Sequence, residues 1–253
     1  MKQSILTAKN LCKSFAHNGV QNHVLDNINL NLYEGEFTVI MGASGSGKST
    51  LLYSLSCMDR ITAGEVIYQG ECISKYNESK TVLLRREEFG FIFQQIHLVS
   101  NLTLLENVAV PGYIVKENKA KEVKQKAIEL LTQMNLNKAY KRLPSQVSGG
   151  EQQRAAIARA VINNPKILFA DEPTGALNRK NTNDVLNLLT QLHEQGQTIL
   201  MVTHDIQSAL RAHRLLYLDD GKITGELILP PYNPQDLKSR ETQVNAWLSS
   251  LDW

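Results

Sequence analysis

Hydrophobic and polar residues alternate over residues 5–15 and again over 24–32, where Ile28, Leu30 and Leu32 keep strict step. A two-residue period places every second side chain on one face, so both stretches read as strands of an antiparallel sheet. "YEGE" from Tyr33 is the turn that follows. The pattern then changes: "FTVIMG", "FGFIFQQ", "KILFADE" and "TILMVTH" are largely apolar without alternation, as strands covered on both faces of a parallel sheet are. Helical spacing separates them. Residues 49–58 and 81–88 predict short helices, and "LTLLENVAV" a third with Thr103 as its cap. Val123, Ala127, Leu130, Leu131 and Met134 mark an amphipathic helix over 120–134, and a further helix starts after Ser148 and stops at "NNP" from Asn163. Val185, Leu188, Leu189 and Leu192 give the inward face of a helix over 182–195. "RLLYLDDGKITGEL" is a hairpin whose Asp-Gly pair favours a type I′ turn. After the stiff connector "LPPYNP", Leu237, Val244, Leu248 and Leu251 recur beside Trp247, predicting a C-terminal amphipathic helix packed on its own chain.

These elements describe one α/β domain over 1–253. Its core spans 1–94 and 164–222, a mostly helical insert spans 95–163, and a tail spans 223–253. The length of 253 residues suits one large domain or two small ones. A net charge of +2 argues for neither nucleic acid nor an anionic membrane as partner. Cys12, Cys57 and Cys72 lack metal-ligand spacing and fit reduced thiols of a cytosolic chain. No stretch approaches the 18 or so apolar residues of a membrane span, and "MKQSILTAKN" lacks the apolar core of a signal peptide.

The chemistry begins at Gly42. Gly42, Ala43, Ser44, Gly45, Ser46, Gly47, Lys48 and Ser49 fit G-x-x-x-x-G-K-[ST], between a buried strand and a helix that continues through Thr50. Such a loop wraps phosphate with backbone N–H groups; Lys48 would face the β- and γ-phosphates and Ser49 would hold Mg²⁺. "ILFADE" ends a buried strand in two carboxylates. Asp171 suits the surroundings of that Mg²⁺, and Glu172 is placed to orient or deprotonate a water. His204 and Gln94 end two other strands, at the edge where ligands bind in such sheets. His204 is a candidate for the γ-phosphate. Gln94 is a candidate for the Mg²⁺ or the water, or is an ordinary polar loop residue. A second glycine-rich helix start, "VSGGEQ" from Val147, reads as a set of bare N–H groups facing an anion, at Ser148, Gly149, Gly150 and Glu151.

Taken together and in this order, these motifs resemble the nucleotide-binding subunit of ABC transporters over nearly the whole chain. They correspond to Walker A, the Q-loop at Gln94, the signature "VSGGEQ", Walker B with its glutamate, and the H-loop at His204. The resemblance implies a P-loop NTPase (RecA-like) parallel sheet with an N-terminal antiparallel β subdomain and an inserted helical subdomain. It also implies ATP and Mg²⁺ as cofactors and a second copy of the chain as partner. The two copies would meet head to tail, so that Ser148, Gly149 and Gly150 of one cap the ATP held by Walker A of the other. That accounts for two anion sites in one chain. An integral-membrane permease would be the further partner, which places the subunit on the cytoplasmic face of the membrane.

Within the family, "GEFTVIMGASGSGKSTLL" and "FADEPTGALN" resemble the branch of macrolide exporters, lipoprotein-release ATPases and antimicrobial-peptide resistance transporters. A relative that regulates cell-wall enzymes or a sensor kinase without transport would carry the same motifs. Two positions depart from the family pattern. Asn178 stands where the D-loop usually has aspartate, and Phe15 is the best match for the adenine-stacking tyrosine; ordinary core packing is the other reading of Phe15.

Overall fold

The computed structural model describes residues 3–17, 20–251 and 253. The chain divides into two compact units, residues 1–81 with 196–253, and residues 82–195.

In the first unit, β1 (Ser4–His17) and β2 (Val20–Tyr33) form a long antiparallel hairpin. β4 (Ala63–Tyr68) and the two-residue β5 (Glu71–Cys72) extend it in the order β2-β1-β4-β5. Leu6, Leu11, Leu25, Ile28 and Leu32 fill its inner face, as the alternation requires. A second sheet holds β3 (Phe37–Met41), β8 (Thr198–Val202), β9 (Arg214–Asp219) and β10 (Lys222–Ile228). β3 runs parallel to both β8 and β9, and β10 returns antiparallel to β9. Every residue of β3 and β8 is buried, which explains the loss of alternation. Asp220 (φ +40°) and Gly221 (φ +73°) make the expected I′-type turn between β9 and β10. α1 (Lys48–Leu55) follows β3 and packs on β8. α2 (Glu78–Glu87) begins three residues before the sequence pattern suggests.

In the second unit, β6 (Phe89–Ile92) and β7 (Ile167–Asp171) pair in parallel, with Phe169 set edge-on to Phe89 and stacked on Phe91. α3 (Leu104–Ile114), α4 (Ala120–Gln133) and α5 (Gly149–Val161) pack on one another. Thr103 caps α3 as expected, in a reciprocal box with Glu106. α3 runs on through Pro111. α6 (Arg179–Glu194) packs against α5.

The first unit also contains α-helices after β8. The one-turn α7 (Ile206–Ala209) has no counterpart in the sequence reading. α8 (Leu237–Ser249) buries Val244 and Leu248, and its Trp247 meets Tyr217 edge-on at 6.4 Å.

Candidate functional site

The loop from Gly42 to α1 is shaped by contacts that only glycine allows. A Cβ on Gly42 would overlap the Leu218 carbonyl oxygen and stand 2.7 Å from Ser46 Oγ. Gly47 begins α1 at φ +101°, and a Cβ there would lie 3.0 Å from the Val24 carbonyl oxygen. The β9–β10 turn supports the loop from outside: Gly221 N–H donates to Ser46 O at 3.3 Å, and Asp26 N–H to Gly221 O at 3.0 Å. Ala43, Ser44 and Gly45 form an exposed crest, while Thr50 and Ser49 are half-buried on the first turn of the helix. Lys48 is only 6% exposed, and its ammonium donates to Gly42 O at 2.8 Å and Ala43 O at 2.7 Å. α1 has no side-chain cap and no acidic residue in its first turn.

Two other predicted residues belong to this unit. His204 is exposed directly beyond β8. Phe15 is 45% exposed, which removes the core-packing reading. The Lys13 ammonium sits 4.6 Å from its ring centroid, held there by Arg60 O at 2.6 Å and by Asp59 at 2.7 Å. One ring face therefore bears a cation.

The second unit brings Gln94 and Glu172 together. Gln94 Nε2 donates to Glu172 Oε2 at 3.3 Å. Gly175 lies beside both; a side chain there would begin 3.2 Å from the Gln94 amide nitrogen and 3.3 Å from the Glu172 carboxylate. Asp171 closes β7 and is 6% exposed. Glu172 sits in the left-handed region at φ +41°, which a non-glycine residue adopts at a cost of about 1–3 kcal/mol. Backbone strain of this kind gathers at functional positions, and here it falls on the residue expected to act on water.

At α5 the structure corrects the sequence reading. The start of the signature helix is only partly bare. Ser148 Oγ accepts from Glu151 N–H at 3.3 Å, while the Glu151 carboxylate accepts from Ser148 N–H and Oγ, both at 2.8 Å. These bonds hold the Glu151 carboxyl below its usual range. The spelling S-x-x-E is a capping box, and it puts an anion of the chain's own at the helix start. Glu151 is thus bound to Ser148 in this structure. Gly149 and Gly150 remain as first-turn donors that the helix cannot satisfy internally. A Cβ on Gly150 would overlap the Asn181 side-chain amide. Asn178 caps α6 by accepting from Asn181 N–H at 3.0 Å, a task that a neutral amide performs as well as aspartate.

Comparison with known proteins decides the family. The family model described as "ABC transporter" matches residues 25–175. The chain belongs to the ABC transporter family. Relatives include the macrolide export ATP-binding/permease proteins MacB of Pasteurella multocida (39% identical over 253 residues) and Wolinella succinogenes (44% over 224 residues). These alignments take in 100% and 88% of this chain but only 38% and 35% of those relatives, so the chain spans little more than a third of their length. Two solved structures of the cassette MJ0796 share 40% identity with it. One is a dimeric post-hydrolysis state bound to ADP and Pi (TM-score 0.83), the other a dimeric bacterial ABC transporter cassette (TM-score 0.84). Each covers 90% of this chain and 100% of the MJ0796 chain. This chain is an ABC transporter cassette.

The cassette's own residues fit a nucleotide. The uncapped α1, the buried Lys48 ammonium and the buried Ser46 Oγ, which has no hydrogen-bond partner, all suit an anion with acceptor oxygens. Among the described residues no three His, Cys, Asp or Glu side chains gather as a metal cage.

Two residues of the cassette went unnoticed in the sequence. Asn107, buried on α3, accepts from Val99 N–H at 2.7 Å and donates to the carbonyls of Val99, Leu102 and Thr103. Arg159 on α5 donates to His97 O at 2.6 Å and Ile96 O at 2.9 Å. The segment after Gln94 is therefore bonded directly to the signature helix. A polar residue on the inward face of α3 was the legible sign of the first; nothing in the sequence marked the second.

Proposed function

We propose that this cassette binds Mg·ATP, closes as a head-to-tail pair and drives a permease on the cytoplasmic face of the membrane, moving a macrolide, peptide antibiotic or lipoprotein-type substrate. The carrying observation is the cradle at Lys48: a buried ammonium beneath an exposed loop crest, beside an uncapped helix. In this reading Gly42, Ala43, Ser44, Gly45, Ser46, Gly47, Lys48, Ser49 and Thr50 bind the phosphates, and Phe15 stacks the base. Ser49, Asp171 and Gln94 hold or orient Mg²⁺ and the water. Glu172 takes the proton of the attacking water, and His204 steadies the γ-phosphate. Ser148, Gly149 and Gly150 serve the partner copy's ATP once Ser148 turns away from Glu151.

A groove of about 460 Å³ in the second unit supports a permease contact. Val82, Phe93, His97, Pro111, Ile114 and Arg159 are among its lining residues, and Ile114 is 56% exposed. It includes the segment that Arg159 bonds, so a permease element seated there would pull on the signature helix. The test is reconstitution of the chain with candidate permease segments. Substrate should stimulate ATP hydrolysis, and Ile114→Asp should abolish that stimulation while sparing basal turnover. Unchanged stimulation in Ile114→Asp would reject the groove as the contact, and no stimulation by any of the three substrate classes would reject the exporter reading.

A further inference from the structure

We propose that Arg240 on the C-terminal helix α8 is a positioning residue for His204, bracing the far end of the loop that presents the histidine. The loop leaves β8 at Thr203, which is buried; its N–H donates to Ile40 O at 3.1 Å and its hydroxyl accepts from Asp205 N–H at 3.0 Å. His204 lies between these two anchors. Asp205 then caps α7, accepting from Gln207 N–H at 3.2 Å, Ser208 N–H at 2.9 Å and Ser208 Oγ at 2.7 Å. A single turn of helix does not hold its shape unaided. Its exit is fixed from outside. Arg240 Nε donates to Leu210 O at 2.9 Å, Nη2 to Ala212 O at 2.5 Å and Nη1 to Pro230 O at 2.6 Å.

The guanidinium is well chosen for this. Arg240 is 2% exposed, and a charge so buried is stable only when its donors are taken up. A planar fork reaches three carbonyls in different directions, which a lysine ammonium on a single stem does less well. Tyr232 closes the site, with Arg211 at 4.5 Å and Arg240 at 5.7 Å from its ring. The tail thus does more than cover apolar surface: the buried charge of Arg240 is directed at the backbone that follows His204.

The inference rests on the reading that His204 serves hydrolysis, and the experiment separates the two. Turnover, ATP affinity with a fluorescent analogue, and melting temperature are measured on the full chain for Arg240→Ala, Arg240→Lys, Trp247→Ala and His204→Ala. Arg240→Ala should lower kcat about tenfold, in keeping with the sensitivity of catalysis to small misplacements. ATP affinity should hold within about twofold, because Lys48 and Phe15 are untouched. Arg240→Lys should recover part of the rate. Trp247→Ala, which loosens α8 without touching those bonds, should lower the melting temperature and leave kcat in place. In a His204→Ala background, Arg240→Ala should remove nothing further. A full second loss of rate in that background, or an equal loss of kcat in Trp247→Ala, overturns the brace. If Arg240→Ala does not fold, Arg240→Lys carries the test: a lowered kcat at unchanged melting temperature supports it, and a wild-type kcat overturns it. A fully active His204→Ala would instead overturn the role given to the histidine, whereas a fully active Arg240→Ala beside an inactive His204→Ala would overturn the brace alone.

Discussion

Glu172→Gln separates chemistry from binding and from folding. Glutamine keeps the length and branching of the side chain, so the strain at φ +41° is present in both proteins and cancels. The Gln94 contact is long, at 3.3 Å, and exposed; replacing its carboxylate acceptor by an amide oxygen changes stability by no more than about 1 kcal/mol. For a chain of this size, the change at that contact is a melting shift of about 2–4 °C. Loss of a general base removes roughly 10²- to 10⁴-fold of rate, or about 2.7–5.5 kcal/mol of barrier. The expected protein therefore melts almost like wild type, binds ATP and scarcely hydrolyses it. With Mg·ATP it should accumulate as a dimer on size-exclusion chromatography, in isolation or reconstituted with a permease. Adding Gly149→Glu introduces a carboxylate where the partner's γ-phosphate would rest, and should abolish that dimer while monomer ATP binding survives. Phosphate release by Glu172→Gln within about threefold of wild type would refute the assignment of the base. A double variant that still closed around ATP would refute the assignment of the signature to a partner's nucleotide.

Lys48→Ala deletes the ammonium held by Gly42 O and Ala43 O, so both ATP affinity and turnover should collapse in titration and phosphate-release assays. Phe15→Ala should raise the ATP KM by about 5- to 150-fold and leave kcat nearly unchanged, since base–aromatic stacking is worth roughly 1–3 kcal/mol in both ground and transition states. The depressed Glu151 carboxyl contributes stability that is present above its unfolded pKa, near 4.5, and is lost as pH falls through the lower folded value. Melting curves of wild type and Glu151→Gln should accordingly differ near neutral pH and converge in acid.

The alternating stretches became β1 and β2, and the unbroken apolar runs became β3, β6, β7 and β8, because burial on one face or two leaves different periods in a sequence. The Asp-Gly turn and the Thr103 cap were equally legible, being local backbone chemistry. α7 escaped because four residues are too few to show a period. At the site, the P-loop and the paired acids could be read from spacing. The left-handed backbone at Glu172, the Arg159 bonds to the Gln94 segment and the Arg240 bonds to the loop after α7 could not, since each depends on tertiary neighbours. At the signature the glycines drew attention, while the glutamate three residues after Ser148 spelled a capping box that went unread.

The Ser148 hydroxyl carries a single proton and faces two possible takers, its own Glu151 and, in the proposed dimer, a phosphate of the partner's nucleotide. The first is tethered three residues away and never diffuses off; the second departs after hydrolysis. The signature helix would therefore reset without outside help, recaptured by its own carboxylate once the phosphate is gone. The same carboxylate repels an anion that lingers, since like charges a few ångströms apart disfavour each other. Recovery after each cycle would then be an intramolecular event, independent of protein concentration, whereas closing requires two chains and two nucleotides to meet.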